Sequence, residues 1–420
     1  MNVIREGNAV PIFSWCPNIE EGAMNQMKAI AQLPYVKYCA LMPDAHAGMM
    51  MPIGGVVACD NVVVPNFVGV DIGCGMCAIK TSLHKSDFED KEKCKKVLHS
   101  FSRGIPVGFA HNNDNRVKEI GNKYGRDDRM IDILGRKYGD STTVNPVGDL
   151  TKSVYSQIGT LGGGNHFCEV QYDEENCVWI MIHSGSRNIG KLIGDYFNEL
   201  AIKMNTLWYS NGSNIPFLPV SSPEGENYLY WMNLALKFAY MNRKIMMDEV
   251  VRNMSYEFPG FQVITDKVVK DTVDNMVNIH HNFAQLENHF GKNYWIHRKG
   301  ATMARKGITG IIPGSMGTCS YIVKGLGEEK SMMSCSHGAG RKMGRMEFCR
   351  QMKDKYAQIE EELKDVVHSE FGDLDRGKNK GLKDVSESPG AYKDIDEVIK
   401  NEIDLIQPIV KLRPLICLKG

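Results

Sequence analysis

No stretch of this 420-residue chain approaches the ~18 consecutive apolar residues of a membrane-spanning helix, which argues against a helical integral membrane protein. The opening MNVIREGNAVPIF lacks an apolar signal core, so the expectation is a soluble, cytoplasmic protein. An excess of charge is missing too. Fifty Lys and Arg face fifty Asp and Glu, so no global field draws the chain to nucleic acid, and any polyanion has to be held by a local patch. There is no internal repeat and no low-complexity linker, so one domain spanning residues 1–420 is expected. The P-loop pattern G-x-x-x-x-G-K-[ST] and the dinucleotide pattern G-x-G-x-x-G are both absent. Only one C-x-x-C occurs, at Cys74 and Cys77, which removes a four-cysteine structural zinc site.

What is present is an ordinary globular composition, 43% hydrophobic and 24% charged. Twelve scattered cysteines in such a chain are expected to stay reduced, most of them as small core side chains. Residues 55–64 read as a β-rich run, 64–79 as strand–loop–strand and 90–103 as a helix. CVWIMIHSGSRNIG (177–190) reads as a buried strand running into a helix near 190–208. A long loop is expected over 211–226, a helix over 227–252, another over 345–367, a basic loop at 375–381 and a last helix near 394–411. Strands and helices mix without βαβ regularity. The expected class is therefore α+β, with irregular mixed sheets surrounded by helices and an active site in a central cleft.

The chemically informative residues sit in glycine-rich turns at the ends of apolar runs, where rigid scaffolds commonly present functional groups. MPDAHAG carries Asp44 and His46; VGVDIGCGM carries Asp71 and Cys74; GTLGGGNHFCEV carries Asn165, His166 and Glu169. IHSGSR adds His183 and Arg187, NIHHNF adds His280, His281 and Asn282, and SCSHGAGR adds His337 and Arg341. Carboxylate, thiolate and imidazoles together suit one transition-metal ion or a pair. Taken singly, each histidine reads equally as a hydrogen-bonded structural residue, and each arginine as a surface ion pair. Cys74 with Cys77 also admits a redox pair, although the glycines flanking Cys74 do not match a thioredoxin-type helix start. The glycine-rich turns suit phosphate as well. Residue types alone thus point to a metalloenzyme handling phosphates.

In order along the chain, MPDAH, VGVDIGCGM, GTLGGGNHFCEV, IHSGSRNIG, HHNF, RKGA, IIPGSMG, SYIVKGLG, SCSHGAGR, PGAYKDIDEV and the terminal CLKG closely resemble the RtcB family of RNA-splicing ligases. The resemblance runs from about residue 42 to residue 420. It implies a ligase that joins RNA 3′-phosphate or 2′,3′-cyclic phosphate ends to 5′-hydroxyl ends in tRNA splicing or RNA repair, using GTP and two manganese ions. It further implies a guanylyl-histidine on His337, oriented by Asp44. Metal ligands would be Asp71, Cys74, His166, His183 and His281, with the Cys74 thiolate shared. Nucleotide contacts would come from Asn165, His166, Phe167, Cys168, Glu169, His281, Asn282, Pro313, Gly314, Ser315, Met316, Ser320, His337, Gly338, Ala339, Gly340 and Lys419. Ligand softness alone would favour zinc, so manganese enters through the resemblance. An archease-type activator is a further implied partner. Arg187 and Arg341, then Arg298 and Lys299, are candidate RNA phosphate contacts. Other readings are a nucleotidyltransferase capping other nucleic-acid 3′-phosphate ends, and an inactive RNA-binding scaffold. The loop AGMMMPIGG after MPDAH, Cys168 and the stretch 368–388 depart from the family pattern.

Overall fold

The run CVWIMIHS is apolar on both of its alternating faces, the pattern of a strand covered on both sides, and Cys177–Ser184 forms such a strand. Val178, Ile180 and Ile182 face one cluster together with Cys77, Val170 and the helix residues Met246, Met247 and Val250. Trp179 and Met181 face the other, with Met76, Phe167, Phe348 and Ile359. The computed structural model describes residues 1–130, 146, 155–208, 215–270, 272–374 and 377–420. Among these it is a mixed α+β fold, as expected from the sequence.

Two sheets dominate the described residues. The nine-stranded sheet runs Val263–Ile264, Gly75–His84, Cys177–Ser184, Phe167–Tyr172, Ile406–Lys419, Ser320–Gly325 and Thr309–Ile312. Val277–His280 also pairs with Gly75–His84, and Val367–His368 with Ile406–Lys419. The six-stranded sheet runs Asn2–Ile4, Ile12–Ser14, Val36–His46, Ile53–Cys59, Lys292–Lys299 and Asn282–His289. Helix Pro223–Glu257 covers one face of the larger sheet. Ser222 starts it by accepting a hydrogen bond from the Gly225 N–H, and Pro223 occupies the first turn, where its missing donor costs nothing. Helix Asn188–Trp208 packs on it through Ile189, Ile193 and Phe197.

Four expectations change. The last helix is only Ile395–Lys400, and the chain then forms the 14-residue strand Ile406–Lys419. Pro408 and Pro414 cannot sit inside a helix, and the neighbouring Ile and Val residues favour a strand; register irregularities beside both prolines accommodate them. The helix expected over 345–367 is two short ones, Arg345–Gln351 and Tyr356–Glu362, separated at Lys355 (φ −126°, ψ 23°). No glycine or proline marks that break, and nothing in the structure explains it. The stretch 64–79 begins with the short helix Pro65–Val68, followed by a loop and then Gly75–His84. Of the loop expected over 211–226, residues 211–214 lie outside the described residues, and its end is already helical from Pro223. Residues 375 and 376 of the basic loop are likewise outside them. No helix among the described residues is long and apolar enough to cross a membrane.

Candidate metal and nucleotide site

Strand register brings the glycine-rich turns together. Lys419 pairs with Phe167, Phe167 with His183, His183 with Met76, and His280 with Gly75. One end of the nine-stranded sheet therefore collects Lys419, His166, His183, Cys74 and His281. His281 is also the crossing point between sheets. Its N–H donates to the Cys74 carbonyl at 2.8 Å, and the next residue opens strand Asn282–His289 of the other sheet. Asn282 fixes the corner, donating to the Asp71 carbonyl at 3.0 Å and accepting from the Gly300 N–H at 2.7 Å. Gly73 turns with φ 76°. A Cβ at Gly185 would run into the Asp71 carboxylate, so glycine there is what admits Asp71 to the cluster.

Cys74, His166 and His183 are buried, and one donor atom from each lies within 4.8 Å of the others. The His183 Nδ1 donates to the Asn165 carbonyl at 3.0 Å, which turns Nε2 toward the Cys74 sulfur at 3.2 Å. His166 Nε2 is 3.5 Å from that sulfur and 3.2 Å from the Asp71 carboxylate. The His281 ring stands 5.2 Å from the His183 ring. His166 Nδ1 and His281 Nδ1 are buried without a hydrogen-bond partner among the described residues. Burial holds His183 and His281 well below the ordinary imidazole value, so both are neutral with a lone pair free. Burial, then the neighbouring Asp71, pushes the Cys74 thiol well up. Neutral imidazoles around a thiol that a cation would deprotonate make a donor set that fits a transition-metal ion. A second compact group, Asp173, Glu175 and Cys177, is accounted for locally. Asp173 caps its own turn through the Glu175 and Cys177 N–H groups and accepts from the Trp179 indole.

His337 follows strand Ser334–Ser336. Its Nδ1 lies 2.6 Å from Asp44 Oδ2, and its own backbone N–H donates to the same oxygen at 3.1 Å. Asp44 is fully buried; burial alone would raise its carboxyl, but the His337 imidazole outweighs this and holds it below the ordinary value. An ionised Asp44 keeps the proton on Nδ1 and leaves Nε2 as a nucleophile or base. The His281 ring is 4.8 Å from the His337 ring, which sets the metal-type cluster and this imidazole side by side.

A cleft opens over His337, walled by Asn165, Phe167, Glu169, Pro313 to Met316, Gly338 to Gly340 and Lys419. Glu169 is buried, and burial raises its carboxyl to about 7. Gln171 donates to Glu169 at 2.5 Å and to Ser320 Oγ at 3.2 Å, while that hydroxyl accepts from the Gly314 N–H. Lys419 donates to the His166 carbonyl at 3.1 Å, so the tail is pinned in the sheet.

A family described as tRNA-splicing ligase RtcB matches residues 26–420. The chain belongs to the RtcB family. It is 36% identical to RNA-splicing ligase RtcB of Escherichia coli K12, over 98% of this chain and 97% of that protein. It is 30% identical to tRNA-splicing ligase RtcB of Nanoarchaeum equitans (96% and 92% covered) and to RNA-splicing ligase RtcB homolog 1 of Entamoeba dispar (94% and 82%).

Most residues singled out by the RtcB motifs meet here, but not all face the cleft. Cys168 alternates away from Phe167 and Glu169, and its side chain is in the core with Val170 and Cys77. Asn282 and Ser320 support backbone around the cleft. Cys77 is fully buried in the core beside Cys168 and Val170, with a thiol pushed up to about 12 by burial; all twelve cysteines are free. Arg298 is fully buried against Glu287 and has no face for RNA, and the Lys299 ammonium is taken up by the Met49 and Asn66 carbonyls. Arg187 donates to Thr160 and the Gly108 carbonyl. Sequence reasoning missed Ile53, Arg345, Glu387 and Tyr392 in the cleft wall. It also missed Asn242 and Arg243, adjacent and fully buried on helix Pro223–Glu257. Arg243 donates to the Gly73 and Ser184 carbonyls at 3.0 and 2.8 Å. Asn242 holds Gly159, Thr160 and Gly185. Polar Asn242 and Arg243 in the middle of a long helix, directly after the apolar run that ends at Met241, were the available signal.

Proposed function

We propose that this protein is an RNA ligase that joins RNA 3′-phosphate or 2′,3′-cyclic phosphate ends to 5′-hydroxyl ends, with GTP and manganese. The observation that carries the reading is His337 Nδ1 at 2.6 Å from buried Asp44, beside a cysteine–histidine cluster, in a member of the RtcB family. In the first step Nε2 of His337 attacks the α-phosphate of GTP and pyrophosphate leaves, giving guanylyl-histidine. A cyclic end is first opened by water to a 3′-phosphate and a 2′-hydroxyl, and the RNA 3′-phosphate then takes GMP from the imidazole. Finally the 5′-hydroxyl attacks the activated end and GMP departs. Asp44 orients His337 throughout and stabilises positive charge on the ring. Glu169 and Lys419 suit the guanine edge as acceptor and donor, and the Pro313–Met316 and Gly338–Gly340 backbone suits phosphate and ribose. Asp71, Cys74 and His166 would hold one ion and Cys74, His183 and His281 a second, with the thiolate shared. When bound, such cations neutralise phosphate charge in the transition state.

The test is incubation with α-labelled GTP and Mn²⁺ followed by denaturation. Acid-labile label on the protein is expected, and none on His337→Ala. Label that survives His337→Ala would sink the proposal.

A further inference from the structure

Glu387 is nearly buried in the wall of the cleft, and both of its oxygens carry two partners. Oε1 meets Arg341 Nη1 at 3.2 Å and Arg345 Nη2 at 3.4 Å. Oε2 accepts from the Tyr392 hydroxyl at 2.5 Å and meets Lys419 Nζ at 3.4 Å. These partners come from separate parts of the chain: the turn after His337, helix Arg345–Gln351, the segment after Pro389–Ala391, and strand Ile406–Lys419. The Arg341 guanidinium also lies 4.9 Å from the Tyr392 ring centre, and its Nη2 is buried with no acceptor among the described residues. Three cations this close together repel one another unless an anion stands between them. Lys419 is also held by the His166 carbonyl, and Arg341 by the Met343 carbonyl and the Tyr392 hydroxyl, but the Glu387 carboxylate is the one contact that all three cations share.

We infer that Glu387 is a positioning residue: its carboxylate holds Lys419, at the base end of the cleft, in fixed relation to Arg341, four residues beyond His337. This rests on the ligase reading above. Base recognition and the nucleophile's loop then share one anchor. Replacing the carboxylate lets Lys419 drift from the guanine edge and loosens Arg341 together with it. A merely stabilising ion pair would behave differently. Its loss would lower the melting temperature and the amount of active protein without altering the choice between GTP and ATP.

The experiment measures initial rates of label incorporation into the protein from α-labelled GTP or ATP, with melting temperatures, for the wild type, Glu387→Gln and Glu387→Asp. Glu387→Gln is expected to raise KM for GTP about tenfold and to reduce the GTP-over-ATP preference in kcat/KM by a similar factor, with kcat changed far less. Glu387→Asp, which keeps the charge, is expected to recover part of both. If Glu387→Gln does not fold, Glu387→Asp decides, with a rise of about threefold in KM and a reduced preference expected. Unchanged KM and preference overturn the inference, as does a fall in kcat with the preference intact. Absence of label on the wild type overturns the ligase reading and this inference with it, and is seen before any variant is compared.

Discussion

Burial lifts the Glu169 carboxyl from 4.5 to about 7. Below 4.5 the folded and unfolded chains both keep the proton, and the group is neutral to stability. As the pH rises from there to about 7 the unfolded chain ionises first, so stability falls, and above 7 the loss is complete. Glu169→Gln removes this dependence. Between pH 5.5 and 8 it is expected to gain about 2 kcal/mol relative to the wild type in urea unfolding; a parallel shift at both pH values would contradict the burial argument. Asp44→Asn keeps the shape but no longer selects the Nδ1–H tautomer, and guanylylation is expected to slow roughly a thousandfold with melting little changed. Cys74→Ala is expected to lose both bound ions in metal analysis, and Asp71→Ala mainly one; equal losses would rule out a shared thiolate. At this scale the sequence was readable because the chemistry is concentrated: few side chains other than Asp, Cys and His can ligate a metal, and these stood in glycine-rich turns. What stayed hidden was Glu387, whose meaning depends on Arg341, Arg345 and Lys419 arriving from elsewhere.

Helix Pro223–Glu257 carries the structural load beneath the site through Asn242 and Arg243. Arg243→Met would take the guanidinium donors from the Gly73 and Ser184 carbonyls, leaving Gly73 only His280 Nδ1 at 3.0 Å, at a cost of about 2 kcal/mol. Chemical denaturation checks the stability, and metal content should fall with it, because both carbonyls belong to turns that present Cys74 and His183. Elements with a strong local signature were legible, such as helix Lys91–Gly104 with its Asp90 cap and the two-faced strand Cys177–Ser184. Strand Ile406–Lys419 was not. Charge and apolar spacing over 394–411 imitate a helix, and the one proline in that segment, Pro408, falls late in it. The break at Lys355 has no local residue to announce it.

For the molecule as a whole, balanced charge limits how RNA can be held. With no net field, affinity comes from a few local cations, and several of those on view are already paired. Binding of a single-stranded RNA measured by fluorescence anisotropy is expected to show a shallow salt dependence, with a log–log slope of about −2 for some three phosphates. A slope near −6 would demand a long basic track that these residues do not supply. The α+β class was legible from the irregular mixture of strands and helices, but the partition into two sheets was not, because pairing partners such as Lys419 and Phe167 are set by contacts across more than half the chain.

That pairing has a consequence during synthesis. Ile406–Lys419 lies between Phe167–Tyr172 and Ser320–Gly325 in the larger sheet. Until a ribosome has made it, both neighbours present bare edges to whatever else is nearby, a recognised route to misassembly. The nascent chain is therefore at its most vulnerable late, and a chaperone that shields exposed strand edges would help most in that interval.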